Sequence, residues 1–192
     1  AISGNPKAVD PVDVNDDKDL DIFITLANAN AVGKVANTPG VAGFNWFLES
    51  TTNVAIGPAN IKSSDLNGDG FSDAVVACPE SDVLCVLRGE LDGSLASVLS
   101  LPVGDEPSSL ALLDFDNDGD DDIAIIASNA IGNRVIALYR NDTSLNGGNL
   151  MFAIDLTIDE GLNPILVANG DIDGDLIDDL VSINTATSFR GT

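Results

Sequence analysis

The chain contains no histidine, one tryptophan, one tyrosine and only 8 lysines and arginines together. Without histidine there is no imidazole base and no Ser-His-Asp triad. So few cations, with no basic patch among them, argue against a nucleic-acid partner. Trp46 and Tyr139 stand alone, so the repeated aromatic platforms of a multivalent sugar binder are missing. No apolar run approaches the roughly 18 residues of a membrane span, and membrane insertion is not expected. No signal peptide is visible, which leaves a processed, secreted chain open. The only two cysteines, Cys78 and Cys85, bracket the turn-like Pro79-Glu80-Ser81-Asp82. A hairpin disulfide in a secreted protein and two small buried residues both fit that spacing.

What the chain has in excess is acid. Its 192 residues carry 31 Asp and Glu and a formal net charge of −23. A hydrophobic content of 44% nevertheless argues for a packed core. Length alone allows one or two domains, and internal repetition favours a single repeat domain over residues 1–192. The acid is concentrated in four stretches that read D-x-[DN]-x-D-x-x-x-D, beginning at residues 13, 65, 114 and 171. Each runs into an apolar segment, most clearly Asp114–Asp122 followed by Ile123-Ala124-Ile125-Ile126-Ala127.

This spacing suits calcium, a hard cation that takes six to eight oxygens in a flexible shell. A tight loop can aim side-chain oxygens from positions 1, 3 and 5 at one point. A carbonyl at position 7 and a carboxylate at position 9 can complete the cage. The candidate side-chain ligands are Asp13, Asn15, Asp17 and Asp21 in loop 1 and Asp65, Asn67, Asp69 and Asp73 in loop 2. In loop 3 they are Asp114, Asp116, Asp118 and Asp122, and in loop 4 Asp171, Asp173, Asp175 and Asp179. Position 6, where the loop turns sharply, is Gly70 or Gly119 in two copies but Lys18 and Leu176 in the others, so those two loops are expected to be distorted or weaker. An EF-hand is excluded: position 12 is Ile24, Val76, Ile125 or Ser182 rather than Glu, and the flanks read as strands. Up to four calcium ions are expected, and without them the clustered carboxylates repel one another.

The loops recur about every 50 residues, a period typical of propellers or solenoids. Pro6, Pro58, Pro107 and Pro164 each lie seven residues before their loop, where a proline can open a strand without forfeiting a ladder bond. In the third unit, strands are predicted at Leu110–Leu113, Ile123–Ala127, Asn133–Arg140 and Met151–Ile158, and four strands per unit make one antiparallel propeller blade. The spacing predicts blade 1 over about 6–57, blade 2 over about 58–105, blade 3 over about 106–161 and a partial blade 4 over about 162–192. In unit one, residues 27–40 read as a polar connection before Phe44-Asn45-Trp46-Phe47-Leu48, an aromatic cluster expected to pack between blades. Asn141-Asp142-Thr143 is a glycosylation sequon in a predicted surface loop.

The pattern Pro-x6-D-x-[DN]-x-D-G-x-x-D followed by an apolar strand resembles the FG-GAP/VCBS repeat family, including the calcium-binding blades of integrin α-subunit propellers. The Phe-Gly and Gly-Ala-Pro signatures that name the family are absent. The resemblance implies calcium at the positions named above, with carbonyls supplied by Asp19, Phe71, Asp120 and Ile177. It implies an all-β, propeller-like array of about three and a half four-stranded blades, incomplete or completed by another chain. A ragged last blade leaves an exposed edge that recruits other strands, and head-to-tail contacts that do not close produce filaments.

The expected function is that of a secreted or cell-surface calcium-binding repeat protein with a structural, adhesive or self-assembling role, filament formation included. Its partners would be other copies of itself, further blades, or an extracellular protein or glycan. The alternatives are part of a secreted polysaccharide-acting enzyme or a lectin-like propeller. Catalysis is not expected, because most paired carboxylates are already needed by the loops.

Overall fold

Strand-forming Val, Ile and Leu runs, punctuated by Asp, Asn and Gly, fold into fourteen strands in the computed structural model, which describes residues 2–14, 18–37, 46–143, 149–159 and 163–185. They are β1 (Pro6–Val12), β2 (Asp21–Leu26), β3 (Ala31–Asn37), β4 (Trp46–Asn53), β5 (Asn60–Ser64), β6 (Asp73–Cys78) and β7 (Val83–Gly89). The others are β8 (Leu95–Pro102), β9 (Leu110–Leu113), β10 (Asp122–Ser128), β11 (Arg134–Asn141), β12 (Phe152–Ile158), β13 (Pro164–Gly170) and β14 (Asp179–Asn184). The only helical element among the described residues is a 3-10 turn at Ala27–Ala29. Among the described residues no helix is long and apolar enough to cross a membrane.

The strands pair antiparallel in chain order, giving sheets β1-β2-β3-β4, β5-β6-β7-β8 and β9-β10-β11-β12 and a two-stranded sheet β13-β14. The fold is all-β, an array of propeller-like blades not closed into a ring. The first strands β1, β5, β9 and β13 contact one another in succession, so they run along the inner side of the array. Of the four prolines, Pro6 and Pro164 open β1 and β13, while Pro58 and Pro107 lie just ahead of β5 and β9.

Each second strand begins with the position-9 aspartate of its loop, and the remainder of β6 and β10 is sandwiched between neighbouring sheets. This is why those two strands are almost wholly buried and read as continuous apolar runs rather than alternating ones. Because side chains alternate across a strand, the first and third residues after the aspartate face the preceding blade. Ala74 and Val76 pack with Phe23 and Val32 of blade 1; Ile123 and Ile125 pack with Val75 and Ala77 of blade 2. The second and fourth residues face forward, as Ala124 and Ile126 do toward Val167. One register therefore builds every interface between blades.

Three expectations are corrected. Residues 27–40 are not a polar connection throughout, because Ala31–Asn37 forms β3. Its apolar pattern is broken by Gly33 and Lys34. A Cβ at Gly33 would come within 2.6 Å of Leu48. Lys34 is buried because its ammonium pairs with Glu49 at 3.0 Å and donates to the Asp92 carbonyl at 3.1 Å. The aromatic cluster is not core either: Trp46 and Phe47 are 38% and 46% exposed. They begin the outermost strand of blade 1, where only β3 pairs beside them; Phe44 and Asn45 lie outside the described residues. Asn141 is not in a surface loop but is the buried last residue of β11. Its amide is engaged by the protein, which is incompatible with a glycan. Cys78 and Cys85 are free thiols in contact, Sγ to Sγ 3.9 Å, in the packing of blade 2 on blade 1.

Candidate metal centre

Every loop connects the first and second strands of a blade, and each is shaped by its own carboxylates. The position-1 aspartate accepts backbone N–H groups from the turn that it opens. Asp65 takes those of Gly68, Asp69 and Gly70 at 2.8, 3.1 and 2.8 Å. Asp114 takes Asp118 and Gly119 at 3.0 and 2.9 Å, and Asp171 takes Gly174, Asp175 and Leu176 at 2.7, 3.1 and 3.0 Å. In loop 1, Asp13 accepts from Lys18 at 2.9 Å. The position-5 carboxylates of Asp69, Asp118 and Asp175 accept the amides of Phe71, Asp120 and Ile177.

Position 6 has a positive φ in all four loops: 72° at Lys18, 87° at Gly70, 96° at Gly119 and 72° at Leu176. The expected distortion of the Lys18 and Leu176 loops is therefore not seen at this hinge. Those two residues hold the left-handed conformation at a cost of about 1–2 kcal/mol relative to glycine.

The position-9 aspartates differ in kind. Asp21, Asp73 and Asp122 are fully buried. One oxygen of Asp73 accepts from Leu66 N–H, at position 2 of its own loop, at 3.0 Å, and the same bond joins Phe115 to Asp122 and Ile172 to Asp179. The other oxygen accepts from the third strand: Asn37 N–H to Asp21 at 2.7 Å, Gly89 N–H to Asp73 at 2.7 Å, Asn141 N–H to Asp122 at 2.6 Å. Burial pushes Asp73 up to about 7, and the neighbouring charges of Asp69 and Asp65 add to this against the two backbone bonds. Burial likewise pushes Asp122 up to about 6, aided by Asp116 and Asp118. The exposed Asp116 is also raised, by desolvation and then by Asp118 and Asp114. Such crowding of like charges is what a cation would relieve.

The structure brings one carboxylate oxygen each of Asp114, Asp116 and Asp122 within 4.8 Å of one another, and does the same for Asp171, Asp173 and Asp179. Oxygens at about 2.3–2.6 Å from a calcium ion lie at most about 5 Å apart, so both sets fit the ion. These are positions 1, 3 and 9; Asp118 and Asp175 stand outside those groups. In loop 2 the position-3 amide of Asn67 donates to Asp69 at 2.9 Å. In loop 1, Asn15 and Asp17 lie outside the described residues. The third-strand donors Asn37, Gly89 and Asn141 were not visible as site residues in the sequence. The signal was the constant placement of a strand end opposite Asp21, Asp73 and Asp122, which only the strand register supplies.

The repeated loop-and-strand unit has a counterpart among known families. Residues 65–125 match the FG-GAP-like repeat. The FG-GAP-like stretch opens at the first aspartate of loop 2 and ends in β10, so it contains loops 2 and 3 and much of the interface between blades 2 and 3. No curated protein matches the chain.

Proposed function

We propose that the chain is an extracellular, calcium-stabilised repeat array with a structural or adhesive role. In this reading a calcium ion binds each loop and locks the turn between the first and second strands of its blade. The observation that carries it is the convergence of three carboxylates in loops 3 and 4, around aspartates that also key the loop to its blade. Calcium would supply positive charge to an anionic cage; the chain's own residues shape the cage, exclude water from position 9 and fix its two oxygens. Loops of this composition suit the millimolar calcium found outside cells, with dissociation constants on the order of 10⁻⁴–10⁻³ M. With no histidine and most of its paired carboxylates needed by the loops, the chain is proposed to have no catalytic role.

Calorimetric titration of calcium into the chelator-treated chain tests the reading. Up to four ions should bind, and at a hundredfold excess over the dissociation constant each should stabilise the fold by about 2.7 kcal/mol. A chain with no binding heat and an unchanged melting temperature would sink it. The apolar outer face of β13–β14, with Leu166, Val181 and Ile183 exposed, supports a partner of one kind, the apolar face of another blade. Light scattering that shows a monodisperse monomer, with and without calcium, would count against a second copy as that partner.

A further inference from the structure

We propose that Asn141 is a positioning residue that couples calcium binding at loop 2 to calcium binding at loop 3. The inference rests on the calcium reading of the loops and goes beyond it, because it makes two sites in different blades one cooperative unit. Asn141 ends β11, in blade 3, and is fully buried. Its Nδ2 donates to the Leu66 carbonyl of loop 2 at 2.8 Å and to the Asp121 carbonyl of loop 3 at 3.0 Å. The orientation of the amide is fixed chemically: its Oδ1 accepts the Thr143 N–H at 3.1 Å, so the opposite side must be the donor.

These bonds complete an unbroken relay between the two buried aspartates. Asp122 of loop 3 accepts the Asn141 N–H. The Asn141 side chain holds the Leu66 carbonyl, and the Leu66 N–H is held by Asp73 of loop 2. A second stitch lies beside it, the Ser64 hydroxyl donating to the Asp121 carboxylate. An ion that orients Asp122 thereby fixes Asn141, and Asn141 pins Leu66 by its carbonyl, the residue whose N–H on the preceding peptide orients Asp73. The second ion then meets a loop already ordered, and cooperativity follows because the ordering cost falls on the first.

The molecule contains its own control. The residue that meets Asp73 from the third strand of blade 2 is Gly89, which has no side chain to reach back toward loop 1. No side chain fits there, because a Cβ would collide with the Ser72 carbonyl. Loops 1 and 2 should therefore fill independently, and loops 2 and 3 together.

The test is calcium titration of the full chain followed by amide NMR, with Gly70 reporting loop 2, Gly119 loop 3 and Lys18 loop 1. Disabling loop 3 with Asp116→Ala, which removes an exposed ligand oxygen outright, should raise the Gly70 midpoint about fivefold, the lower range of measured couplings. Disabling loop 1 with Asp13→Asn should leave it unmoved. In Asn141→Leu, which keeps the backbone donor to Asp122 but lacks the amide, Asp116→Ala should no longer move Gly70. Asn141→Ala serves if the leucine variant does not fold. A Gly70 midpoint indifferent to loop 3 in the unaltered chain, or a shift that persists without the amide, overturns the proposal. Should none of the three reporters respond to calcium, it is the calcium reading that fails, and the coupling with it.

Discussion

Loops 3 and 4 are one device in two settings. Both draw the oxygens of positions 1, 3 and 9 to within 4.8 Å, and both tie position 9 to the amide of position 2 at 3.0 Å. Asp122, however, is sealed between blades and receives a second donor from β11, whereas Asp179 is half-buried and no described strand flanks β14 on its far side. The cage is thus written locally, in nine residues, while the keystone function of position 9 is conferred by the complete blade. In the proposed calcium reading, cation binding and folding are separable roles of the same carboxylate.

The largest test of that separation is deletion of the keystone. Asp122→Ala leaves the buried N–H groups of Phe115 and Asn141 without their acceptor, at about 1–3 kcal/mol for each unsatisfied group. A total loss of about 3 kcal/mol is expected in denaturant unfolding of the calcium-loaded chain. Asp179→Ala, whose loop is open to water, should cost about 1 kcal/mol beyond any lost calcium. Equal losses would break the comparison.

Acidity offers a gentler probe. The folded pKa values of Asp73 and Asp122 are raised to about 7 and about 6. Between pH 4 and 7 the folded chain therefore holds protons that the unfolded chain has released, and its stability falls as pH rises. The contribution is fully present below about pH 4. In chelator, a decline on the order of 1–2 kcal/mol over this window is expected for Asp122 after solvent screening. Asp122→Asn should flatten that part of the slope. Calcium binds the ionised form, so its affinity should rise through the same window.

The reach of the sequence divides along the same line. The loops, the second strands and the strand order of blade 3 were legible because each depends on neighbours close in the chain, consecutive strands pairing with one another, down to Leu110–Leu113 at its observed limits. The illegible parts depend on distant partners. β3 was hidden because Lys34 needs Glu49 and the Asp92 carbonyl before it can be buried. Trp46 and Phe47 looked like core because nothing local says that their strand lies outermost. Asn141 looked like a surface sequon because its partner Leu66 is reached only across the blade interface and Asp121 only through the pairing of β10 with β11. Charge spacing exposed the acidic loops, and only tertiary register exposed the bonds that join them.

The smallest effect concerns the hinge at position 6. Gly119 and Leu176 hold φ of 96° and 72°, the same left-handed turn with and without a side chain. Leu176 is 91% exposed, so its side chain gives back almost nothing in burial for the strain that it imposes. Leu176→Gly should then stabilise the chain by about 1 kcal/mol, less the few tenths that glycine's extra freedom in the unfolded state removes. For a chain of this size that corresponds to a rise of about 2–4 °C in melting temperature. Gly119→Leu should do the reverse by a similar amount, since nothing lies within 4 Å of a Cβ built there and strain alone acts. A destabilising Leu176→Gly would mean that the exposed leucine has a partner, and loop 4 would cease to be the unsupported member of the pair.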